Sequence, residues 1–189
     1  MTQESTGPSR LARFEAIFRD HQHAVLAYTM RRTALAADAE DAAAETFAIC
    51  WRRLEAVPAD EPLPWLYGVA RRVLANQRRG RGRRERLLAT LKSPDVATPL
   101  RMGEDQDTPA IRALASLSPA DQELLRLVAW EELGHADIAR VLDITTNAVA
   151  IRLHRARARF ARALKELDNN RTQMDVTGTE HAAWQGEAS

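Results

Sequence analysis

From Leu11 to Arg32 the apolar residues Leu11, Phe14, Phe18, Val25 and Tyr28 recur at helical spacings with charged residues between them, which predicts an amphipathic helix or a helix pair. Asp38 is a good N-cap, with Glu40 and Asp41 in the first turn near the positive helix end. Ala42, Ala43, Phe47, Cys50, Trp51 and Leu54 follow as an apolar stripe, so a second helix is expected from about Ala39 to Glu55. Its other face carries Asp41, Ala44, Glu45 and Arg52, a pattern that suits either solvated surface or a docking face. The segment Val57–Pro64 is rich in proline and reads as a loop. Trp65, Leu66, Val69, Ala70 and Val73 then resume a helical pattern that runs through Arg71 and Arg72 into QRRGRGRRER, where Gly80 and Gly82 mark a break.

Residues 90–109 lose periodicity, hold Pro94, Pro99 and Pro109, and turn acidic, the composition of a flexible linker. Helical pattern returns over Ala110–Leu117. Ser118 followed by Pro119 is a start signal for a further helix whose stripe is Leu124, Leu125, Val128 and Ala129. Gly134 breaks that helix and can cap His135–Leu142; Asp143, Ile144 and Thr145 make a tight connection to Thr145–Phe160. At 100° per residue, Val149, Leu153, Ala156 and Phe160 share one side of this last helix, while Asn147, Ile151, His154 and Arg155 point away. Two consecutive short helices joined in this way have the layout of a helix-turn-helix. After Leu167 the chain turns polar with a lone Trp184, and residues 168–189 are expected to be disordered.

Composition sharpens the picture. Alanine and arginine in place of β-branched and aromatic residues favour helix, so the fold class expected is all-α: two small helical domains joined by a flexible linker, the C-terminal one a helix-turn-helix. A net charge of +1 conceals segregation, because residues 71–86 hold 8 basic and 1 acidic side chains, and residues 146–165 hold 6 and 0. Two separated basic blocks in an otherwise acidic chain suggest two contacts with nucleic acid and a steep salt dependence. Trp65 and Tyr67 beside the first block would suit unstacked bases. Cys50 is the single cysteine, so an intramolecular disulfide or cysteine-based metal site is excluded, and a small core residue in a reducing cytoplasm is the plain reading. No apolar run reaches membrane-spanning length and the N-terminus lacks a signal-peptide core, so membrane insertion is not expected. His21, His23, His135, His154 and His181 match no metal-ligand spacing, and no glycine-rich phosphate loop is present; neither enzymatic activity, a cofactor nor a small-molecule substrate is expected.

Taken in order, DAEDAAAETFAICW, WLYGVARRVLANQRRG and ELLRLVAWEELGHADIARVLDITTNAVAIRLHRARARF resemble the bacterial extracytoplasmic-function (ECF) sigma factors. The resemblance spans about Leu11 to Leu167. It implies a disordered N-terminus at residues 1–10, a first sigma domain at 11–89, an acidic linker at 90–109, a last sigma domain at 110–167 and a polar tail at 168–189. The implied partners are core RNA polymerase, promoter DNA and an anti-sigma factor. Asp38, Glu40, Asp41 and Glu45 fall where the family docks on the polymerase clamp. The pocket loop with Asp60 and Glu61, together with Trp65, Arg71, Arg72, Asn76, Arg78 and Arg79, falls where it opens and reads the minus-ten element.

Thr145, Thr146, Asn147, Ala150, Ile151, His154 and Arg155 fall where the family reads the minus-thirty-five element. The chain departs from the family at Ala42, Ala43 and Ala44, where larger residues and usually a glutamine stand. It departs again at Ala150 and Ile151, where a basic and a small polar residue are usual, and at Asp143, where glycine is usual in a turn that demands φ above zero. Apolar groups in a major groove cannot make bidentate contacts to guanine, so the resemblance implies a shifted base preference. The rival readings of the residues are a helix-turn-helix regulator acting without polymerase and a protein-interaction module.

Overall fold

The structure, a computed structural model, describes residues 9–89 and 108–184, with side-chain surroundings described over 9–82 and 108–169. Among the described residues there are seven α-helices and no strand: α1 (Arg10–Met30), α2 (Ala36–Arg52), α3 (Pro62–Ala89), α4 (Pro109–Ala115), α5 (Pro119–Ala129), α6 (His135–Leu142) and α7 (Thr146–Trp184), with a short 3-10 turn at Leu54–Ala56. The all-α expectation holds. Most of the expected linker, residues 90–107, lies outside the described residues.

Contacts group the described residues into two compact units. One comprises α1, α2 and α3 together with Ala136–Ile144 of α6 and the turn after it; the other comprises α4, α5 and α7. In the first unit a single helix, α1, is capped by the Ser9 side chain, which accepts a hydrogen bond from the Ala12 amide at 3.2 Å. Ile17 and Val25 of α1 pack on Ala43, Phe47 and Cys50 of α2 and on Leu54, Val57 and Leu66. Tyr28 and Tyr67 stack at 4.7 Å between ring centroids. Cys50 is fully buried, and burial pushes its thiol above the ordinary range against the opposing pull of Arg13. It is an inert core residue, as its surroundings in the sequence suggest.

Four local expectations are corrected here. Asp38 does not cap α2: the helix begins earlier, with Leu35 in the cap position, and Asp38 lies in its first turn. Pro62 and Pro64 do not lie in a loop but in the first turn of α3, where the missing proline N–H costs no intrahelical hydrogen bond. Gly80 and Gly82 do not break α3, which continues to Ala89. Each glycine weakens a helix by about 1 kcal/mol relative to alanine, a cost that the strong helix formers around them absorb. Finally, α7 does not stop near Leu167 but runs on as helix to Trp184, across most of the segment expected to be disordered.

In the second unit, Ser118 caps α5 by accepting from the Asp121 amide at 3.2 Å, and Pro119 occupies the first turn, as the sequence signal requires. The buried stripe differs from the expected one. Leu124 and Leu127 are buried, Leu125 and Val128 are half-buried, and Ala129 is exposed. Val149, Leu153 and Ala156 form the buried side of α7 and Phe160 is half-buried, matching the side read from the sequence. The α5–α6 connection bends at Glu132, with φ 51°, rather than at Gly134. This is a costly conformation for a side chain lacking the local hydrogen bonding of Asn or Asp.

Candidate nucleic-acid interface

The chain enters α7 through a turn whose parts are set by residue type. Asp143 takes φ 57°, the left-handed conformation that aspartate tolerates better than most residues. The Ile144 amide donates to the Ala139 carbonyl at 3.1 Å, satisfying a carbonyl in the last turn of α6. Thr145 then caps α7, its hydroxyl oxygen accepting from the Ala148 amide at 3.2 Å. Thr146 and Asn147 are exposed in the first turn, at the positive end of the helix where phosphate is favoured. Ile151, His154 and Arg155 are exposed on the same outward side, whereas Ala150 is half-buried at its margin.

The cations of α7 are not equivalent. Arg159 donates from Nη1 to both carboxylate oxygens of Asp121, at 3.0 and 2.8 Å. Asp121 is buried at 8% exposure, so this ion pair ties α7 to α5. A groove of about 670 Å³ opens beside it, walled by Ser116 and Ser118 on one side and by Arg162 and Glu166 on the other. Arg152, Arg155 and Arg157 are exposed and form no ion pair among the described residues. They are available to a polyanion, as is the exposed Lys165 farther along the helix.

The basic end of α3 is sorted in a similar way. Arg71 and Arg72 are exposed. Arg78 donates to the Arg32 carbonyl at 3.2 Å, Arg79 donates to the Asn76 side-chain oxygen at 2.5 Å, and Arg81 forms an ion pair with Asp38. Asn76 is exposed, with its side-chain oxygen engaged by its neighbour. The aromatic expectation changes: Tyr67 is buried in its stack with Tyr28, and Trp65 is half-buried against the core, so neither ring stands free for a base. The exposed rings of this unit are Phe18 and Trp51, at 40% and 38%. Trp51 meets Phe14 edge-on at 5.3 Å and lies under the Arg10 guanidinium at 5.0 Å. Sequence reasoning placed both rings in the apolar stripe, and only the packing shows their exposure.

On α2, Glu40, Asp41 and Glu45 are exposed as a docking face requires. Asp38 is not: its side chain is 17% exposed and engaged by Arg81. In the loop before α3, Asp60 and Glu61 are exposed, and Glu61 pairs with Arg140 of α6 at 2.5 Å. Among the described residues no three His, Cys, Asp or Glu side chains gather as a metal-binding set. No helix among them is long and apolar enough to cross a membrane.

Residues 17–84 match Sigma-70 region 2, and residues 109–160 match Sigma-70, region 4. The ECF RNA polymerase sigma factor SigL of Mycobacterium tuberculosis is 31% identical over 162 residues, covering 82% of this chain and 91% of the relative. The chain belongs to the ECF sigma factors. The RNA polymerase sigma-H factor of Pseudomonas aeruginosa is 27% identical over 172 residues, covering 82% of this chain and 87% of that protein. Among solved structures, the sigma factor RpoE of Bartonella quintana, in complex with the anti-sigma factor NepR, superposes with a TM-score of 0.62 at 23% identity. The match covers 80% of this chain and 96% of that one. CnrH in complex with the cytosolic domain of CnrY gives a TM-score of 0.57 at 21% identity, covering 81% and 88%. These two likenesses concern the fold. Together the matched regions take in α2, the loop before α3, Arg71, Arg72, Asn76, Arg78 and Arg79 of α3 and the outward face of α7, so every group of site residues read from the sequence falls within them.

Proposed function

We propose that this sigma factor binds core RNA polymerase and directs it to a set of promoters, recognising upstream duplex through α7 and opening DNA beside α3. The observation that carries this reading is the presence, in one chain and in order, of regions 2 and 4, each with exposed arginines. A stand-alone regulator has use for the second region but not for the first.

Glu40, Asp41 and Glu45 dock on a basic surface of the polymerase, where opposite charge favours orientation and on-rate over raw affinity. Asp38 supports that face from beneath by holding Arg81. Arg71 and Arg72 hold the phosphates of the melted strand, and Asn76, with its oxygen occupied by Arg79, offers its amide N–H groups to a base. Arg78 and Arg79 contribute mainly by positioning this end of α3. Asp60 and Glu61 border the pocket for an extruded base, whose unstacking costs a few kcal/mol that contacts must offset. Trp65 shapes that pocket from its half-buried position. In the second unit Thr145 fixes the start of α7, Thr146 and Asn147 meet phosphate, and His154 and Arg155 lie in the groove, with Ala150 at its edge.

The protein works in the cytoplasm, catalyses nothing itself and uses no cofactor. An anti-sigma protein is its regulatory partner, as NepR is for RpoE, whose fold this chain shares. Gel filtration with core polymerase tests the reading: the protein is expected to co-elute with core. Elution apart from core, with duplex binding retained, would make it a regulator acting without polymerase.

A further inference from the structure

Ile151 is 45% exposed, and among the residues of α7 whose side-chain surroundings are described, up to residue 169, it is the one large apolar side chain turned so far toward solvent. Single exposed apolar residues are ordinary on protein surfaces, so exposure alone carries nothing. The surroundings do. Asn147 lies one turn before Ile151 and Arg155 one turn after it, His154 lies between, and all three are exposed. Arg152 and Arg157 add exposed positive charge, and no acidic residue stands between Thr146 and Lys165. An isoleucine inside a cationic, hydrogen-bonding ring is poorly placed to receive an apolar protein surface, because the ring would have to be desolvated with it. It is well placed against a surface that is anionic at its rim and carries an isolated methyl group within. The major groove of DNA is such a surface, and its methyl group is the C5 substituent of thymine.

We infer that Ile151 contacts the C5-methyl group of a thymine in the upstream promoter duplex and fixes a T·A pair there. The inference rests on the proposed role of α7 and deepens it by naming the base chemistry. Position supports it: α7 begins at Thr146, so Ile151 falls within its first two turns, the part of a recognition helix that reaches base edges. The structure bears out the outward place that helical period gives Ile151 and sets it apart from its neighbour. Ala150 is half-buried, whereas Ile151 extends outward. An isoleucine has no donor for the O6 and N7 acceptors of guanine, so it selects by shape and desolvation alone.

The test uses the full chain assembled with core polymerase and a pool of duplexes randomised in the upstream element. Selected sites are resynthesised with deoxyuridine replacing each thymidine singly, which removes only the methyl group. At one position the exchange is expected to weaken binding by about three- to tenfold, the scale of one buried methyl group with its lost packing. The Ile151→Ala protein should bind the thymine duplex about as weakly as the unaltered protein binds the uracil duplex, and should be indifferent to the exchange. Selected sites in which no uracil exchange changes affinity, or an Ile151→Ala protein that still feels it, would overturn this assignment while leaving DNA reading by α7 intact. Enrichment of no upstream site, with Arg155→Ala also without effect, would overturn both.

Discussion

The two arginine-rich helices, α3 and α7, look alike as sequence and differ in how much of their charge the protein itself engages. Along α3, Arg78, Arg79 and Arg81 are each engaged by the protein itself, through the Arg32 carbonyl, Asn76 and Asp38 respectively. Along α7, Arg159 is bound to buried Asp121, whereas Arg152, Arg155 and Arg157 form no ion pair among the described residues. A basic block is thus two populations interleaved at helical spacing. One population holds the fold and the other faces outward. The distinction decides whether a substitution is felt in stability or in DNA affinity.

The largest expected effect marks the inward side of α7. Leu153 is 2% exposed, and Leu153→Ala should lower unfolding stability by about 2–5 kcal/mol in denaturant titration. Arg159→Ala follows: it leaves a buried carboxylate without its partner and should cost about 1–3 kcal/mol. A stability unchanged by this substitution, with a clear loss of DNA affinity, would break the division of α7 into holding and contacting cations. Glu132→Gly relieves a left-handed conformation and should raise stability by about 1 kcal/mol, seen as a higher midpoint in the same titration. Smallest in stability is Arg155→Ala, within about 0.5 kcal/mol of the unaltered protein. Its effect should appear instead in duplex binding by the holoenzyme, where the slope of log affinity against log salt falls by about 1.

Much of this was legible in the sequence wherever one residue type forces one local geometry. Ser118 with Pro119 starts α5, Thr145 caps α7, and the outward set Asn147, Ile151, His154 and Arg155 follows from helical period alone. Where a local signal competes with the helix around it, the sequence misleads. Asp38 has the chemistry of a cap but is drawn into an ion pair from α3, and Gly80 and Gly82 lie in a helix that outweighs their cost. Partner choice is harder still, since Asp121 and Arg159 are far apart in the chain and nothing local links them. Aromatic rings show the same limit: Tyr67 beside arginines resembles a stacking platform until Tyr28 is seen covering it.

The central claim is that this protein gives core RNA polymerase its choice of promoter. In vitro transcription on genomic DNA fragments, with purified core polymerase and with or without the protein, tests it most directly. Discrete transcripts should begin only when the protein is present, and should weaken with Arg155→Ala at promoters that depend on the upstream element. An identical transcript pattern with and without the protein would contradict the account.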